Sequence, residues 1–131
     1  MGGEWKVIPF SDAPLEIIDG DRGKNYPSRQ DQYKEGYCLF LNAGNVTTEG
    51  FNLANNTFIS KTQDELLRQG KLERNDIILT TRGTVGNVAY YNSKIPYEHV
   101  RINSGMVIIR AKENELDSRF AYFFLKSKLF S

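Results

Sequence analysis

One cysteine and one histidine stand among 131 residues, and that scarcity removes several chemistries at the outset. Cys38 has no second thiol, so an intrachain disulfide is excluded and a thiolate zinc site lacks ligands. Embedded in the apolar run YCLFL, it reads as a small core residue. His99 has no nucleophile spaced as its partner and no further histidines with which to hold a metal, and it reads as structural or surface-lying. No stretch nears the roughly 18 consecutive apolar residues of a membrane helix, and the opening MGGEWKVIPF lacks the basic-then-apolar order of a signal peptide. A cytoplasmic location without a membrane partner is therefore expected.

Charge of one sign is also missing. Seventeen Lys and Arg against sixteen Asp and Glu leave +1, so composition alone announces no nucleic-acid partner, and any anionic ligand must be met by local arrangement. Two stretches are locally basic: residues 22–29 hold Arg22, Lys24 and Arg29, and residues 75–110 hold Arg82, Lys94, Arg101 and Arg110 against Asp76 and Glu98. Such a surface can contact a few phosphates, while the acidic remainder limits non-specific affinity.

Signature motifs are absent too. Gly83-Thr84-Val85-Gly86 matches neither G-x-x-x-x-G-K-[ST] nor G-x-G-x-x-G, and a strand rather than a helix follows it, so the helix-end amides of a phosphate cradle are missing. Asp19-Gly20-Asp21 has no further acidic ligands at calcium-loop spacing. Ile95-Pro96-Tyr97-Glu98 does not replace the N-P-P-Y of a DNA methyltransferase, and no glycine-rich cofactor motif accompanies it. Neither a catalytic constellation nor a metal site is expected.

What is present is one small domain: 131 residues at 40% hydrophobic content can bury roughly two thirds of the surface exposed on unfolding. Leu15 to Ile18 reads as a strand stopped by Asp19-Gly20, and residues 19–32 are almost wholly polar, the length of a functional loop. Residues 37–41 read as a central strand, followed by turn chemistry at Asn42-Ala43-Gly44-Asn45, where Asn and Gly tolerate positive φ. Strand-like pieces continue to Ser60, interrupted at Gly50 and Asn55-Asn56. Thr62 and Glu65 form a capping-box pattern that predicts a helix at about 63–69, anchored by Leu66 and Leu67 and stopped by Gly70.

The segment NDIILTTRGTVGNVAYY, residues 75–91, predicts a hairpin whose tip carries Arg82, Thr84 and Asn87 around Gly83 and Gly86. GMVIIR, residues 105–110, is a further strand. A closing helix is expected from about Arg119, capped by Asp117 or Ser118, with Phe120, Phe123 and Phe124 on one face. No internal repeat and no low-complexity linker is visible.

The glycine-punctuated segment IIDGDRGKNYP, residues 17–27, is the second candidate recognition element. Arg22 suits guanine or a phosphate, Asn25 suits adenine, and the glycines allow close backbone approach. For both loops the plain alternative is structural: a solvated loop in one case, a glycine-requiring turn in the other. His99, Arg101, Asn103 and Ser104, which precede the last strand, can line the same face as the hairpin tip.

The order of Trp5, DGDRGKNYP, YCLFLNAGNV, a short helix, L-x-x-x-D-I-I-L-T-T-R-G-T-V-G and an aromatic helix resembles the target-recognition domain of type I restriction-modification specificity subunits over nearly the whole chain. The resemblance implies an α+β fold of irregular twisted strands with short helices, like the DNA methylase specificity domain. It implies recognition of one half of a bipartite duplex-DNA target, no catalysis, and modification and restriction subunits as partners that use S-adenosylmethionine and ATP. It implies host defence as the role. Under it, the DNA-contacting candidates are Arg22, Lys24, Asn25, Arg29, Arg82, Thr84, Asn87, Arg101 and Asn103. Complete specificity subunits are similar to two such domains joined by long helices, so residues 1–131 are expected to be the first recognition domain of a longer subunit, or a half-subunit. A fused restriction-methylation enzyme and a carbohydrate- or protein-binding module are the competing readings.

Overall fold

The computed structural model describes residues 15–111. The early apolar group Trp5, Val7, Ile8 and Phe10 and the expected helix with Phe120, Phe123 and Phe124 lie outside the described residues.

Among the described residues, nine short strands and one α-helix make an α+β architecture. Strands β1 (Leu15–Asp19), β9 (Met106–Ala111), β6 (Ile77–Thr80) and β7 (Val88–Tyr90) form an antiparallel sheet in the order β1-β9-β6-β7. A second sheet sets β2 (Cys38–Phe40) between β5 (Phe58–Ile59) and β8 (Val100–Arg101). The β2–β8 pair is parallel, with Leu39 opposite Val100 and Phe40 opposite Arg101. Strands β3 (Val46–Thr47) and β4 (Gly50–Phe51) form a small ribbon.

The strands follow from apolar runs bounded by turn chemistry. In β6 the pleat alternates, so Ile78 enters the main core while Ile77 and Leu79 face the other side. All three sheets contribute to that core, which gathers Leu39 and Val100, Val46, and Ile78, Ala89, Met106 and Ile108. Tyr91, 1% exposed, fills its largest single volume. Cys38 is fully buried, in a smaller cluster with Phe40, Ile59 and Leu67, and burial, reinforced by the nearby Asp64 charge, pushes its thiol up to about 12.

The helix, α1, spans Lys61–Leu66, two residues earlier than the capping box predicts. Its N-cap is Ser60, whose hydroxyl accepts from the Gln63 amide at 3.1 Å, and Thr62 lies inside the first turn. The helix ends at Leu66 because Arg101 takes the carbonyls a continuing helix would use: its guanidinium donates to the oxygens of Asp64 (2.7 Å), Leu67 (3.3 Å) and Gln69 (3.1 Å). Leu67 is buried as expected, but Leu66 is 49% exposed, and the buried residue of the helix itself is Asp64. Gly70 terminates no helix. With φ +98° it lets the chain pass the Gly20 backbone, where a Cβ would stand 3.1 Å from the Gly20 Cα.

Residues 42–45 differ in kind from the predicted positive-φ turn. Ala43–Asn45 is a 3-10 turn capped by the Asn42 side chain, and none of its residues has positive φ. The Asn45 amide, 1% exposed, donates to Asn52 O, Asn55 O and Asn56 Oδ1. One side chain thus closes the 45–56 excursion.

Candidate nucleic-acid interface

The polar 19–27 loop is anchored at both ends of its path. Asp21, almost fully buried, accepts the Gly23 amide at 2.7 Å and the Arg68 amide at 2.8 Å, with the Arg68 guanidinium against the same carboxylate. The hydrogen bonds from Arg68 and Gly23 hold this carboxyl at about 2, well below its ordinary 3.8. Farther along, Tyr26 sets its ring edge-on against Phe40, and its hydroxyl accepts the Ser104 amide at 3.0 Å. Arg22 donates to the Ser104 carbonyl at 3.2 Å and lies 3.6 Å from Asp19.

The same 103–105 turn carries the base of the hairpin. Asn103 Oδ1 accepts the Gly105 amide, and the Gly105 carbonyl accepts the amides of Thr81 (2.8 Å) and Arg82 (3.2 Å). At the tip, Gly83 and Gly86 adopt φ of +72° and +95°, backbone that suits glycine. The Thr80 hydroxyl donates to Thr84 O at 2.6 Å and accepts the Asn87 amide, stiffening the turn from within. Loop and hairpin therefore meet across one turn, around a cleft of about 230 Å³ lined by Tyr26, Ala43, Thr80, Arg82, Thr84 and Asn103, among others.

Six of the nine expected residues lie on this side. Arg82, Thr84 and Asn103 line the cleft, Arg22 is tied to its rim, and Lys24 and Asn25 line an adjoining notch with Asp21 and Arg68. Arg29 is exposed on a separate 3-10 turn and lines neither cavity.

Two expected residues face inward. Asn87 is 6% exposed and donates to the Val46 carbonyl, tying the hairpin to β3. Arg101 is 7% exposed, paired with Asp64 and bonded to three carbonyls. Burial works against an ionised Asp64, but hydrogen bonds from Lys71 and Arg101 outweigh it and keep the carboxyl below its ordinary value. Base reading by Arg101 and Asn87 is not what this geometry offers, because both side chains are consumed by the fold. Arg110, part of the same basic stretch, is likewise held by Asp76 at 2.8 and 2.9 Å. His99 stacks on Tyr37, 4.3 Å between centroids, away from the cleft-lining residues.

A profile of the type I restriction modification DNA specificity domain matches residues 4–130. The chain belongs to that family. Two solved structures share the specificity-domain fold. The HsdS subunit from Thermoanaerobacter tengcongensis superposes with a TM-score of 0.57 at 15% identity, covering 88% of this chain and 26% of that one. A structure described as the structural basis underlying complex assembly and conformational transition of the type I R-M system gives a TM-score of 0.59 at 16% identity, covering 98% of this chain and 33% of that one. The chain thus spans a quarter to a third of the length of these structures. A comparison with curated proteins finds no match. At such identities the likeness shows the fold.

Arg68 joins the site although nothing in the sequence marks it as a contact. It sits in QDELLRQG, which the sequence reads as helix but which the structure leaves non-helical from Leu67 on, and nothing there distinguishes it from a solvated charge. The usable signal is Asp21, an acid within a basic glycine loop that requires a partner if buried.

Proposed function

We propose that this chain reads one half of a bipartite duplex-DNA target on behalf of a type I restriction-modification complex. It performs no catalysis itself. Modification and restriction subunits supply the S-adenosylmethionine- and ATP-dependent chemistry, in the cytoplasm and as host defence. The reading is carried by the convergence of the 19–27 loop and the hairpin tip on one cleft, in a chain of the specificity-domain family.

On this reading Arg22, Asn25, Arg82, Thr84 and Asn103 supply donors and acceptors for base edges, and Lys24 and Arg29 supply charge for phosphates. Arg82→Ala is expected to relax preference at one base position and weaken the preferred sequence by about 1–3 kcal/mol, whereas Lys24→Ala weakens all sequences alike. Titration of duplex DNA into the chain, and into the subunit containing it, at about 50 mM salt is the check. No binding by either overturns the proposal.

A further inference from the structure

Beside the cleft lies a notch of about 350 Å³ lined by Asp21, Lys24, Asn25 and Arg68. Its construction is asymmetric. The acid is sealed, with 2% of its side chain exposed, while the Arg68 side chain is 75% exposed. Arg68 turns its Nε and one terminal nitrogen to Asp21, at 3.4 and 3.3 Å. A guanidinium carries five donors in a planar fork, so a carboxylate gripping one edge leaves further donors for a second anion.

Gly23 completes the seat. A Cβ there would stand 2.6 Å from the Arg68 Nη2, so the guanidinium lies where a side chain on residue 23 would be. The Gly23 backbone does not have positive φ, so what this glycine supplies is room for the guanidinium in this position, which a Cβ would push aside. Lys24, next in sequence, is exposed at the same notch.

We infer that Arg68, oriented by Asp21 and seated on Gly23, forms with Lys24 a preorganised contact for the DNA phosphate backbone, setting the register in which the adjoining cleft meets base edges. This rests on the DNA-recognition reading above. A held guanidinium loses little freedom on binding, and phosphate contacts fix register without carrying sequence information.

The test follows fluorescence anisotropy of mixed-sequence duplex DNA with the full chain between about 50 and 200 mM salt. Arg68→Gln is expected to reduce the slope of log K against log salt by about 0.9 and to weaken binding about three-fold or more, equally for unrelated duplexes. Gly23→Ala, which changes no charge, is expected to weaken binding in the same sequence-independent way by displacing the guanidinium. Lys24→Gln, at an exposed position, provides a second reading should Arg68→Gln lower the folded fraction, and a slope drop of the same size is expected. Wild-type binding with unchanged slopes in Arg68→Gln and Lys24→Gln overturns the notch and leaves DNA recognition standing. A wild-type chain with no salt-dependent binding overturns both.

Discussion

Arg101 closes the end of α1, neutralises Asp64 and leads from β8 toward the cleft turn. Removing one member of a buried pair leaves the other poorly compensated, which costs about 3–5 kcal/mol. Lys71 still pairs with Asp64, so Arg101→Ala is expected near the low end, about 3 kcal/mol, as a shift in the urea midpoint. A base-reading arginine would leave that midpoint unchanged. Nothing in HVRINSG separates Arg101 from a surface cation, because its partner lies 37 positions away. Asp21 gives the second residue-scale expectation. Its folded carboxyl ionises more readily than the ordinary value of 3.8, so its contribution is complete above about pH 4 and is lost as pH falls toward 2. Urea midpoints measured from pH 5 to pH 2 are expected to fall less steeply in Asp21→Asn than in the wild type.

At the scale of elements, the hairpin and the central strand were legible because each is an uninterrupted apolar run with glycine or asparagine at its border. The helix boundary was less so: Ser60 and Thr62 are both able to cap, and the C-terminal limit is imposed by a side chain on β8. The parallel β2–β8 pairing joins strands about sixty residues apart and has no local signature. Two glycines test this level. Gly83 has positive φ and nothing within 4 Å of a built Cβ, so Gly83→Ala carries backbone strain alone, about 1 kcal/mol. Gly70 adds close approach to the Gly20 backbone, so Gly70→Ala is expected to cost about 2 kcal/mol or more. Thermal denaturation of the two variants side by side checks the order.

For the whole molecule, the decisive feature is that the three sheets of the described residues share one core, and the two-stranded ribbon among them is too narrow to stand alone. Ile108, fully buried on β9, touches that shared volume. Ile108→Ala is expected to destabilise by about 2–5 kcal/mol, with backbone and aromatic circular dichroism shifting together as one transition. Unfolding of one sheet ahead of the others would separate the two signals. The family and the strand-rich α+β class were readable from motif order, since that order records how the loops are strung along the chain. The partition of arginines between interior and surface was not, because it depends on which distant acid each one meets.

Strands β1 and β9 form one antiparallel pair, with Leu15 opposite Ala111. The pair joins distant parts of the sequence, so the amides of its ladder exchange with solvent only when that long-range contact opens.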